Sequence, residues 1–132
     1  MAVPVKILLA EDDADDRIFF LDFLRGRKDI EWMPPVENGS ELLAALKQAK
    51  QLPGMIILDQ NMPKLNGIQT LHFLKTDPRY AGIPVMIYST YANDLLVEEG
   101  LNRGATMVAS KPSDPAGYNR MMDDFFDASQ KV

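Results

Sequence analysis

Two stretches of the chain, Ile7-Leu-Leu-Ala10 and Met55-Ile-Ile-Leu58, are apolar at every position and stop abruptly at acids. Runs this short, with no polar alternation, have the pattern of strands buried on both faces. Such strands need a covering layer on each side. The chain supplies those layers in order, because apolar strand-like stretches at Val5–Ala10, Ile30–Met33, Met55–Leu58, Pro84–Tyr88 and Ala105–Ala109 alternate with segments of helical spacing at Asp15–Arg25, Ser40–Lys50, Ile68–Lys75, Asn93–Asn102 and Pro115–Ser129. Five strand-helix units predict a doubly wound α/β domain with a parallel five-stranded sheet.

Local chemistry marks the boundaries. Ser40 after Asn38-Gly39 predicts a helix cap, and Pro53-Gly54 closes a linker. Gly104 stands where a left-handed residue ends a helix. Pro115 suits a first helical turn, and Tyr118, Met121, Met122 and Phe125 form a stripe expected to face the core. No repeat, low-complexity segment or interdomain linker divides the chain, so residues 1–132 are expected to form one domain.

Composition then removes whole classes of function. The 132 residues include 19 acids against 14 Lys plus Arg, for a net charge of -5, and no cysteine. Thiol nucleophiles, disulfides and cysteine-zinc sites are excluded. Without a Lys/Arg cluster, the chain is not expected to bind nucleic acid. Its N-terminal apolar run is too short for a signal peptide or membrane span, and a cytoplasmic, membrane-free location is expected.

The acids are concentrated, with five of the six residues from Glu11 to Asp16 being Asp or Glu. In open parallel sheets, ligands bind at the carboxyl ends of the strands. Those ends carry Glu11-Asp12-Asp13, Asp59-Gln-Asn61, Ser89-Thr90 and Ser110-Lys111-Pro112. Three carboxylates about 5 Å apart repel by roughly 3 kcal/mol per pair at an effective dielectric of about 20, or roughly 10 in all. Either one acid holds a proton or a cation sits among them, and an oxygen-only site suits Mg²⁺ or another hard divalent ion. A carboxylate beside such an ion and a lysine is placed to attack phosphorus and form an aspartyl phosphate.

The strings Ile7-Leu-Leu-Ala-Glu-Asp-Asp13, Ile57-Leu-Asp59-Gln-Asn-Met-Pro63-Lys-Leu-Asn-Gly67, Ile83-Pro-Val-Met-Ile-Tyr-Ser89 and Ser110-Lys-Pro112 resemble the receiver domains of bacterial response regulators, the CheY-like family. The resemblance covers nearly the whole chain and implies a flavodoxin-like (βα)5 fold with strand order 2-1-3-4-5. It implies Asp59 as phosphoacceptor, with Lys111 and Ser89 assisting. It further implies Mg²⁺ or Mn²⁺ held by Glu11, Asp12, Asp59 and the backbone carbonyl of Asn61, with Asp12 the more direct ligand. The Lys111–Pro112 bond would be cis, and Gly67 would end the loop after the acceptor strand. The partners implied are a sensor histidine kinase or histidine phosphotransfer protein upstream and a protein target downstream, the chain itself being a monomer or weak dimer. On this reading it is not an enzyme beyond its own phosphorylation and dephosphorylation.

Three positions depart from the receiver pattern. Val108 stands where an aromatic is usual, Thr90 replaces a small residue, and Tyr91 is expected to shield the phosphoryl group. Asp15 and Asp16 read as a helix start, Asp13, beside the ligand pair, as either facing solvent or capping the first helix, and His72 as structural or exposed. Phe19 and Phe23 fall on the side of the first helix as a docking candidate. Rival readings are a phosphorylation-independent protein-binding module and an aspartate-nucleophile phosphohydrolase. The hydrolase lacks a general acid, because Asn61 stands where a second carboxylate would be needed. Flavin binding is disfavoured because acids occupy the place of a phosphate loop.

Overall fold

A computed structural model describes residues 3–130. Five strands, β1 (Val5–Ala10), β2 (Ile30–Trp32), β3 (Met55–Asp59), β4 (Val85–Ser89) and β5 (Met107–Ser110), alternate with α1 (Ala14–Phe23), α2 (Gly39–Gln48), α3 (Gly67–Thr76), α4 (Asp94–Asn102) and α5 (Pro115–Ser129). The sheet is parallel throughout, in the order β2-β1-β3-β4-β5. This is the flavodoxin-like arrangement that the sequence implied. Among the described residues no helix is long and apolar enough to cross a membrane.

Period-two alternation along the strands builds two cores. Leu8, Ala10, Ile56, Leu58, Val85 and Ile87 face α2, α3 and α4, packing on Leu42, Leu71 and Leu74. Ile7, Leu9, Met55, Ile57, Met86 and Tyr88 face α1 and α5, packing on Phe20, Leu24 and the predicted stripe of Tyr118, Met121, Met122 and Phe125. β3 and β4 are buried at every residue, which is why β3 contains no polar side chain until Asp59.

Each helix starts on an Asp or Asn whose side chain accepts a backbone N–H from the first turn, at Asp13, Asn38, Asn66, Asn93 and Asp114. Ser40 is therefore not the cap of α2. Asn38 takes that place because its extended backbone lets Oδ1 accept the N–H of Glu41 at 2.9 Å, which leaves Ser40 inside the first turn. Gly104, with φ at 105°, occupies the left-handed conformation expected of it. A Cβ on Gly67 would lie 3.0 Å from the carbonyl oxygen of Asp59, so glycine is what lets α3 start against the exit of β3.

Candidate phosphoryl-transfer site

The carboxyl ends of β1, β3 and β5 bring the chemistry together. Glu11 and Asp12 follow β1, Asp59 ends β3, and Lys111 follows β5. One carboxylate oxygen from each of Glu11, Asp12 and Asp59 lies within 4.8 Å of the others. Glu11 and Asp59 are buried, whereas Asp12 is exposed. Every donor in the cluster is an oxygen, so the set fits a hard divalent cation and offers nothing to a soft one.

Lys111 is the cation the fold itself provides. Its Nζ lies 3.1 Å from Glu11, 2.9 Å from Asp16 and 3.3 Å from Asp59. The stem is aimed by the backbone, because the Lys111 N–H donates to the Ser89 carbonyl at 2.8 Å. Burial works against the ammonium, but the hydrogen bond to Asp16 and the charges of Asp59 and Glu11 outweigh it and hold its pKa above the usual lysine range. Asp59 shows the opposite balance. Burial first, then the hydrogen bond and charge of Glu11, push its carboxyl up to about 8, although Lys111 and the Asn61 N–H pull it down. That N–H reaches Asp59 Oδ1 at 3.3 Å.

Glu11 has no exposed surface and is tied on every side. Its Oε1 accepts from the Tyr88 hydroxyl as well as Lys111, and its Oε2 accepts the Asp13 N–H at 3.0 Å. Its backbone carbonyl accepts from Arg17 at 2.7 Å. Ser89 ends β4 and is buried.

The geometry revises several expectations. Asp13 is the cap of α1, with Oδ1 accepting the Asp16 N–H at 2.9 Å. Asp16 is more than part of a helix start, since it is a principal partner of Lys111. Asp15 and His72 are exposed as expected. The Lys111–Pro112 bond is trans, not cis, for there is no cis peptide among the described residues. A prolyl amide favours trans by about 0.5–1 kcal/mol, and this chain adopts that commoner isomer. Tyr91 is 75 % exposed and buries little of its ring against the site. Val108 packs on the α2/α3/α4 core, where a Cβ on Gly100 would come within 2.6 Å of its methyl. Phe19 and Phe23 stack with centroids 5.6 Å apart, the first exposed and the second half-buried.

Two residues of the site went unread in the sequence, Tyr88 and Asp16. For Tyr88 a signal was present. Alternation from Met86 puts it on the α1/α5 face, and a buried tyrosine near a strand's carboxyl end needs a polar partner for its hydroxyl.

The sequence profile of the response regulator receiver domain matches residues 7–122. A protein-glutamate methylesterase/protein-glutamine glutaminase of Clostridium acetobutylicum is 32% identical over 122 residues, covering 91% of this chain and 34% of that protein. The chain thus spans about a third of the length of such relatives. A probable chemotaxis protein CheY of Rhizobium etli is 28% identical over 85% of this chain and 84% of its own. Among solved structures, the Mn²⁺-bound form of response regulator Rcp1 superimposes with a TM-score of 0.80 at 25% identity, covering 98% of both chains. The phosphorylated cyanobacterial phytochrome response regulator RcpA gives 0.83 at 25% identity, covering 97% of both.

Proposed function

We propose, from the premise that this chain belongs to the response regulator receiver domain family, that Asp59 is its phosphoacceptor. The donor is the phosphohistidine of a sensor kinase or phosphotransfer protein, and the reaction depends on a divalent cation, Mg²⁺ or Mn²⁺. The observation that supports this most is the position of Asp59, buried at the end of an apolar strand within reach of Lys111 and two further carboxylates.

In the transfer, an oxygen of Asp59 forms a bond to phosphorus as the phosphorus–nitrogen bond to the histidine breaks, and the leaving imidazole takes up a proton. Glu11, Asp12, Asp59 and the backbone carbonyl of Asn61 would hold the cation. When bound, it supplies positive charge to offset these acids and the phosphoryl oxygens. Lys111 provides a further charge within reach of Asp59, and Ser89 donates a hydrogen bond to the phosphoryl group. The new group adds about two negative charges at the rim, enough to shift the equilibrium of neighbouring loops. The signal then leaves through a protein target, so the chain acts as a phosphorylated signalling module and performs no chemistry on that target.

Incubation with acetyl phosphate and Mg²⁺, followed by intact mass measurement, is the test. One phosphoryl adduct is expected, and none in excess chelator. Absence of the adduct, together with no Mg²⁺-dependent binding of beryllofluoride, would leave the phosphorylation-independent binding module as the better reading. Turnover of phosphate esters would favour the hydrolase.

A further inference from the structure

Tyr88 is the largest fully buried side chain among the described residues, and it ends in the acid cluster. Its ring sits edge-on to Phe20, with centroids 5.3 Å apart and planes at 87°. Phe20 is in turn edge-on to Tyr118 at 5.2 Å and Trp32 at 5.7 Å. Lys111 Nζ lies 5.0 Å from the centroid of the Tyr88 ring. The ring is therefore held by aromatic packing and by the site's lysine, and its hydroxyl meets Glu11 Oε1. A phenol is protonated at neutral pH, so the hydroxyl is a donor to that carboxylate.

Glu11 has little freedom left. Oε1 accepts from both Tyr88 and Lys111, and Oε2 from the Asp13 N–H. Of these three donors, Lys111 is shared with Asp16 and Asp59, and the Asp13 N–H belongs to the loop that carries Glu11 itself. Only Tyr88 fixes Glu11 from a different strand without also serving another acid of the site.

We propose that Tyr88 is a positioning residue for the cation site, its hydroxyl setting the Glu11 side chain so that Glu11, Asp12 and Asp59 are assembled before the cation arrives. The inference rests on the phosphoacceptor reading above and adds to it a residue that acts from outside the set of ligands. Partners that orient a metal's carboxylates commonly matter nearly as much as the ligands do.

Tyr88→Phe keeps the ring and removes one oxygen. Mg²⁺ titrated calorimetrically into the wild-type protein and this variant is expected to bind the variant about tenfold more weakly. In a Glu11→Ala background the same substitution is expected to change Mg²⁺ affinity by less than about twofold, since nothing is left to position. A merely structural role would lower the melting temperature in both backgrounds and leave Mg²⁺ affinity alone. Equal affinities for Tyr88→Phe and wild type, or an equal loss in both backgrounds, would overturn the proposal. A second measurement needs no variant, because the buried phenolic proton of Tyr88 is expected to shift in the wild-type NMR spectrum on Mg²⁺ saturation. An unmoved resonance overturns the proposal as well. Wild-type protein that binds no Mg²⁺ overturns the cation reading and this inference together. Wild-type protein that binds Mg²⁺ while Tyr88→Phe changes nothing overturns this inference alone.

Discussion

Asp59→Asn is expected to abolish the phosphoryl adduct completely and, in the absence of divalent metal, to raise the melting temperature at alkaline pH. The first effect follows because the amide keeps the shape of the carboxylate but loses its nucleophilic oxygen. The second follows from burial. The Asp59 carboxyl is pushed from its ordinary 3.8 up to about 8, so across that interval the folded protein holds a proton that the unfolded chain has released. Stability of the metal-free wild type therefore falls as pH rises above about 4, and the penalty is complete only above the folded value. An amide does not ionise and removes this slope. Melts of both proteins in excess chelator between about pH 5 and about pH 9 should show the variant's advantage growing with pH and then levelling off. A difference that is constant or shrinks would contradict the assignment. Mg²⁺ should reverse the order, because a cation that binds the folded wild type stabilises it by mass action and finds a weaker site in the variant.

Phe20→Ala is expected to be the most damaging single truncation away from the acid cluster, costing about 3–5 kcal/mol. Phe20 is completely buried and meets Trp32, Tyr88 and Tyr118 edge-on, so no neighbour lies free to fill the space. Against the roughly 5–15 kcal/mol that stabilises an ordinary domain, that is about a fifth at the least. The midpoint of urea unfolding should fall with little change in slope, and the melting temperature should drop by about 10–20 °C. Trp32, the only tryptophan, reports the same event by fluorescence. Phe19→Ala, one residue earlier and 46 % exposed, should cost only about 0.5 kcal/mol. Comparable losses at both positions would mean that α1 is not seated as described.

The fold was largely legible because stretches covered on both faces leave no room for polar residues, and the runs Ile7–Ala10 of β1 and Met55–Leu58 of β3 announce themselves by that alone. Edges were read less well, since hydrophobicity does not stop where strand pairing stops. Met33 is apolar but lies beyond the last paired residue of β2, which is Trp32 opposite Ile7. Pro84 has no N–H for the ladder, and β4 starts at Val85. Ala105 opens the apolar run that leads into β5, yet its N–H returns to the Gly100 carbonyl in the turn that ends α4. In the site, Glu11, Asp12, Asp59 and Lys111 could be found by a rule about strand ends, which needs only sequence order. Asp16 and Tyr88 depend on tertiary placement, namely which side of α1 meets the exit of β5 and how far a tyrosine on β4 reaches. Composition carries no trace of either distance.

Lys111 also ties the site to the order in which the chain assembles. It joins acids from the start and the middle of the sequence, Glu11, Asp16 and Asp59, and its bond to Asp16 spans 95 residues. Closing so long a stretch of chain costs entropy that local contacts do not. Without β5 in place, β1 and β3 would meet with their acids facing one another and no lysine between them. The same charges that serve the finished site therefore weigh against its half-built precursor, and docking of the last strand relieves them. Completion of the sheet therefore also completes the site, because the strand added last in sequence carries the lysine that Glu11 and Asp59 share.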